Sequence, residues 1–208
     1  DRVLLPFKQN KLLNTLFLSN IFVSFHYALV IYLNSSFSSN YFEDSQISTL
    51  YIIGSILNVV ILLNASKILE KVSNYKFSLY TIGIEFTAIL CLAFTNSPFL
   101  IALSFITHLS AISTLLFNLD VFVESVSDDE SLTGSIRGTY LTITNIMIVL
   151  APLSISFLLA NGNYSSVYIL SALLLIPLYL IVRKFKHVNE AKMHHIEIQK
   201  TVGEYIND

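Results

Sequence analysis

Three residues able to carry a proton stand where charge is otherwise almost absent. Glu85 is the only Asp, Glu, Lys or Arg between Lys76 and Asp120, a stretch that also holds His108, and His26 lies in the uncharged stretch from Lys11 to Glu43. At 1.5 Å per residue, Glu85 falls roughly 14 Å along a helix starting near Lys76, close to the midplane of a hydrocarbon core about 30 Å thick. His26 and His108 fall within a few Å of the same depth. An ionised carboxylate there costs about 2.5 kcal/mol or more, so Glu85 must be protonated, paired or wetted. Imidazole titrates near neutrality, and a protonatable group exposed in turn to two compartments can couple a proton gradient to the movement of another solute. The same residues also suit a plain structural role, as neutral groups hydrogen-bonded across helices. Both readings stand at this stage.

Polar stripes accompany them. Asn20, Ser24 and Tyr27 share one helical face, Thr107, Ala111, Thr114 and Asn118 another, Tyr51, Ser55 and Asn58 a third, and Thr142 and Asn145 lie on a fourth. Four such faces imply a shared polar interior, although small and hydroxyl residues also mark helix packing in lipid. Asp120 and Glu124 lie one turn apart, and Arg137 follows the acidic run Asp128-Asp129-Glu130. They can form an ion-pair cluster, acting as a two-state gate or as a static clamp. His194-His195 points to different sides of a helix with no third ligand spaced to join it, so it reads as a solvated face and no metal or cofactor is expected.

The elements that must position these residues follow from composition. Of 208 residues, 54% are apolar and 12% charged, against roughly 25% charged in a soluble domain. Too few charges remain for a water-facing shell. The net charge of −2 excludes a basic footprint for nucleic acid, and one cysteine, Cys91, excludes a disulfide framework. An integral membrane protein in a lipid bilayer remains. The charge gaps, divided at Thr95-Asn96-Ser97-Pro98 and at Asn161-Gly162-Asn163, give six spans at about 14–33, 47–68, 77–94, 99–123, 136–160 and 165–182. Residues 1–13 precede this 14–182 bundle and 183–208 follow it as a linker or tail. The runs are continuous rather than alternating, so the spans are helices.

Orientation follows from the basic residues. All 12 Lys and Arg lie on one side: Arg2, Lys8 and Lys11; Lys67, Lys71 and Lys76; Arg137; and Arg183, Lys184, Lys186, Lys192 and Lys200. Cytoplasmic loops keep positive residues, which puts both termini in the cytoplasm, with the plasma (inner) membrane as the expected location. The sequons Asn34-Ser35-Ser36 and Asn163-Tyr164-Ser165 fall on the outer side.

Six spans with both ends inside, a basic loop between spans two and three and a charged loop between four and five resemble half of a major facilitator superfamily transporter. The resemblance covers nearly the whole chain. It implies an all-α polytopic fold of two inverted three-helix repeats, spans one to three and four to six. In the family's second-to-third loop, Gly-x-Leu-Ala-Asp-Arg-x-Gly-Arg-Lys, only Lys76 matches in charge, and Lys71 stands where the family has its acid. Asp120, Glu124 and Arg137 are expected to supply the cytoplasmic charge cluster instead. Gly134-Ser135-Ile136-Arg137-Gly138 is similar to the entry of many fifth helices in the family.

The family moves small solutes through a cavity lined chiefly by first and fourth helices. That implies roles for His26, Asn20, Ser24, Tyr27, His108, Thr107, Thr114 and Asn118, and places the histidines before Glu85, since third helices are usually scaffold. The expected activity is secondary transport of a small solute by alternating access, coupled to protons. A structural or channel-like six-span module is the alternative. No span carries the Arg or Lys spacing of a voltage sensor, and neither His-Glu-x-x-His nor Gly-x-Ser-x-Gly supports an enzyme. A complete member has about twelve spans. With six spans and Asp1 first, the chain is expected to be the N-terminal piece of one, partnered by a second six-span half, or a half that works as a homodimer.

Overall fold

A computed structural model describes residues 11–126, 130–159 and 162–187. Arg2, Lys8, Asp128, Asp129, Asn161, Lys192, His194, His195 and Lys200 lie outside the described residues. Six long helices carry the expected spans: α1 (Lys11–Ser38), α2 (Asp44–Leu63), α4 (Asn74–Phe94), α5 (Pro98–Val126), α6 (Glu130–Leu158) and α7 (Tyr164–Val182). A short helix, α3 (Ala65–Lys71), follows α2, and a 3₁₀ turn, Arg183–His187, ends the described chain. All six long helices are apolar and long enough to cross a membrane. No strand occurs among the described residues.

Local chemistry sets the ends. The Glu43 N–H donates to Gln46 Oε1 at 3.0 Å at the start of α2, and Asn163 Oδ1 accepts from the Ser165 N–H at 3.0 Å at the start of α7. Each satisfies a donor that the first turn leaves without a helical partner. Gly162 precedes that second cap with φ +69°, a left-handed conformation that side chains disfavour. Pro98 opens α5, where its missing N–H costs nothing.

Three boundaries differ most from the sequence reading, one of them the start of α6, at Glu130 rather than near Ile136. The first span continues to Ser38 rather than ending near Leu33, which places Asn34 inside α1, buried, with Tyr168 Oη donating to its Oδ1 at 3.3 Å. That sequon asparagine is therefore a packing residue. The second span stops at Leu63 instead of running to Ile68. There the Asn64 side chain donates to the Val60 carbonyl at 2.8 Å while its N–H turns back to Ile61, a local bond that competes with helix propagation.

Most packing partners are not sequence neighbours, α4 with α5 being the exception. α1 packs on α6 and α7, α5 packs on α2 and α4, α4 packs on α7, and α1 touches α5. Exchanging span one with four, two with five and three with six maps this pattern onto itself. The two three-helix repeats are thus interleaved, with α1 and α5 at the centre. Gly54 permits the closest approach of α2 to α5: a Cβ there would stand 2.7 Å from Leu109 Cδ1, and the Gly54 carbonyl accepts from Ser110 Oγ at 3.3 Å. Small residues serve this purpose in lipid, where van der Waals contact holds helices together.

The buried apolar side chains fall into two clusters. One joins Leu13, Val23, Ile82, Ile112, Phe122, Leu175 and Phe185; the other joins Ala28, Leu33, Ile89, Ile101, Ala151, Tyr168 and Ala172. Along α1, α4 and α5 the break between them brackets His26, Glu85 and His108. The outer faces of α2 and α6 stay open, with Ile56, Val60, Leu153 and Phe157 exposed.

Candidate functional site

At the break between the two cores, three helices deliver one side chain each to a common point. Glu85 Oε1, from α4, lies 2.8 Å from His26 Nε2 of α1 and 2.5 Å from His108 Nδ1 of α5. His26 and Glu85 are 0% exposed and His108 2%. The two imidazoles meet edge to face, 6.4 Å between centroids. From α7, Ser171 closes the far side of His26: its Oγ lies 2.7 Å and its carbonyl oxygen 3.1 Å from His26 Nδ1, and Oγ lies 3.3 Å from the His26 carbonyl. Glu85 Oε2 is buried with no partner.

The interleaved repeats explain this convergence. α4 packs on α5 and carries Glu85 to His108, as α7 packs on α1 and carries Ser171 to His26. In one repeat the third-span position is an acid; in the other it is a serine. Each faces the histidine of the helix it packs against.

Two imidazole nitrogens and a carboxylate oxygen within 4.8 Å of one another are ligand types that can hold a transition metal. The separations of 2.8 and 2.5 Å are those of charge-assisted hydrogen bonds. Ligand atoms on one tetrahedral zinc ion lie about 3.3 Å apart, given bonds of about 2.0 Å. At these separations the arrangement is suited to proton sharing: an oxygen placed between two bases, buried, in a medium that penalises net charge.

A second polar cluster joins α1 to α6. Asn20 Nδ2 donates to the Tyr140 carbonyl at 2.7 Å and to Thr144 Oγ1 at 3.2 Å, and Ser24 Oγ donates to Asn20 Oδ1 at 2.8 Å. Sequence reasoning selects Asn20 and Ser24 but takes Thr142 and Asn145 for the polar side of span five; both are exposed, and Thr144 makes the contact. Ser171 was missed as well. Its available signal is that it is the one Ser or Thr beyond the first turn of the sixth span.

The remaining expected site residues are dispersed. Thr107 and Thr114 bond carbonyls of their own helix, Leu103 and Ser110. Tyr27 packs half-buried against the first apolar cluster. Asn118 is fully buried with neither amide atom partnered, although its backbone carbonyl accepts from Asn74 Nδ2 at 2.9 Å. Of the charged set, Arg137 and Asp120 stand 3.9 Å apart, both more than half exposed, a spacing and exposure that confer little stability. Glu124, Lys71 and Lys76 are exposed.

Six interleaved membrane-length helices around a buried His-Glu-His centre form an all-α polytopic bundle. The chain matches the family model of the Major Facilitator Superfamily over residues 12–203 and belongs to that family, whose members are membrane transporters of solutes. No curated protein matches it.

Proposed function

We propose that this chain is the N-terminal half of a twelve-span, proton-coupled secondary transporter, moving a small solute by alternating access with His26, Glu85 and His108 as its coupling group. The observation that carries this reading is the single oxygen, Glu85 Oε1, held by two histidines on the two central helices. α1 and α5 are the elements best placed to rock, since each contacts all three helices of the other repeat. A proton shared among helices that must shift ties its binding to their arrangement. Tyr27 and Thr107 each follow or precede a cluster histidine and are only half-buried; with Asn20, Ser24, Thr114 and Asn118 they form the solute-side set. Arg137 and Asp120, with Glu124, Lys71 and Lys76, sit at the cytoplasmic mouth as its gate.

Solute-dependent proton movement tests this. In vesicles holding the full-length protein, with an imposed pH gradient and an internal pH-sensitive dye, adding members of one solute class (sugars, organic anions or peptides) is expected to dissipate the gradient faster than in empty vesicles. Solute accumulation that ignores the gradient would overturn the coupling. A bundle that moves no solute of any class would return the structural alternative.

Both termini on the cytoplasmic side of the plasma membrane complete the proposal, supported by the one-sided Lys and Arg. Asn40 and Lys186 are exposed at opposite ends of the bundle. In a Cys91→Ser background, Asn40→Cys is expected to react with an impermeant maleimide on intact cells and Lys186→Cys only after permeabilisation. The reverse order would invert the topology.

A further inference from the structure

The hydrogen-bond partners of His26 restrict where protons can sit in the buried cluster. A carbonyl oxygen can only accept, and the Ser171 carbonyl lies 3.1 Å from His26 Nδ1. His26 therefore carries its hydrogen on Nδ1. The Ser171 hydroxyl is consistent with this: its Oγ, 2.7 Å from Nδ1, shares the Nδ1 hydrogen with that carbonyl and donates its own to the His26 carbonyl at 3.3 Å. A bare Nδ1 would set its lone pair against that carbonyl.

With Nδ1–H fixed, Nε2 is what faces Glu85. Oε2 has no partner, so a proton there would have no acceptor, and the choice falls on Oε1. One oxygen with two nitrogen neighbours can donate to at most one, so at least one ring must donate to it. Two neutral assignments meet these conditions, both with His108 Nδ1–H donating to Oε1. In one, Glu85 is protonated and donates to His26 Nε2; in the other, Glu85 is ionised and accepts from an imidazolium at His26. They differ by a single transfer, in which the Oε1–H bond breaks as the Nε2–H bond forms. Assignments with a further proton leave a net positive charge in a fully buried site, which the low dielectric disfavours. Removing the shared proton leaves an Nε2 lone pair 2.8 Å from a carboxylate oxygen, a repulsive contact.

We infer that the cluster holds one exchangeable proton, on the His26 Nε2 to Glu85 Oε1 axis; that Ser171 is the positioning residue that confines it there; and that its loss separates α1 from α4. The inference rests on the proposed proton coupling for its use, though not for its structure. Other charges on the contributing helices are remote: Lys11 on α1, Lys76 on α4, and Asp120 and Glu124 on α5 lie roughly 14 Å or more along their axes, and α7 has none. Among the described residues, His108 is the one other titratable group hydrogen-bonded to the pair.

Nitrogen-15 NMR of the full-length protein with labelled histidine, in bilayers, reads this directly, with His26→Gln and His108→Gln assigning the signals. Between about pH 5 and pH 9, His26 Nδ1 is expected to remain protonated while Nε2 alone changes, and spin labels at Ser36 and Thr87, exposed on α1 and α4, are expected to move apart as it does. A neutral His26 protonated on Nε2, or loss of protons from both rings together, would overturn the inference. So would a shift of both rings on adding Zn²⁺ alone, which would make the cluster a metal site. A fixed Nδ1–H alongside solute uptake indifferent to pH would leave the proton assignment standing and remove the coupling.

Discussion

Glu85→Gln is expected to lower gradient-driven solute accumulation by on the order of tenfold or more while leaving solute exchange across the membrane within about twofold of the parent. Glutamine keeps the length and the carbonyl oxygen of a protonated glutamate, and that oxygen can still accept from His108 Nδ1. It cannot release or take up a proton. The helices can therefore still adopt both arrangements with solute bound, but the step that ties one of them to proton release is missing. Accumulation measured with and without a pH gradient, beside exchange of labelled for unlabelled solute at equal pH, separates these effects. Equal accumulation by Glu85→Gln, His26→Ala and His108→Ala variants would place coupling elsewhere in the transporter. Loss of both accumulation and exchange in Glu85→Gln alone would mean that the carboxylate serves the conformational change itself.

The convergence of these three residues was half legible in the sequence. Depth was readable, because an uncharged run fixes where a helix enters the membrane and the rise per residue does the rest. Rotation was not. Whether Glu85 faces lipid, cavity or bundle depends on which helix packs against α4, and the repeats interleave so that its neighbours are α5 and α7. The family resemblance even pointed away from it by treating third helices as scaffold. Thr144 shows how fine the margin is: one residue along a helix turns the side chain by about 100°, so reading Thr142 and Asn145 as the polar side put it on the exposed face.

Spans were easier than their ends. Six apolar runs specified six membrane helices, and the all-α polytopic fold followed. The ends are set by individual bonds, such as those of Asn64 that stop α2 early and the burial of Asn34 against Tyr168 that accompanies a longer α1. The charge cluster was legible as a composition and not as a geometry. Long flexible side chains at an exposed rim have no packing to hold them, and only Arg137 and Asp120 approach each other among the described residues.

The same cluster makes an opposite pair of stability predictions, which separate what folding needs from what transport needs. Replacing Glu85 alone by Met is expected to destabilise the protein by about 3–5 kcal/mol, the usual result of removing one partner from a buried charged set. His26 Nε2 and His108 Nδ1 would then face a thioether with their hydrogen bonds unmade. Replacing all three, as His26→Leu, Glu85→Met and His108→Leu together, leaves apolar side chains of similar volume joining the two cores that the cluster now separates. Such exchanges of buried ionic groups are commonly neutral or stabilising by about 1–4 kcal/mol, so the triple variant is expected to recover the parent's thermal stability in detergent or exceed it, while gradient-driven accumulation is abolished. Ser171 loses a partner in that variant, but its hydroxyl can turn to a carbonyl of its own helix. If the triple variant were as unstable as Glu85→Met, the cluster would be needed for the fold, and its place between the cores would have a structural cause. If it is stable and inactive, a polar centre that costs stability in the middle of an apolar bundle is retained for the proton it carries.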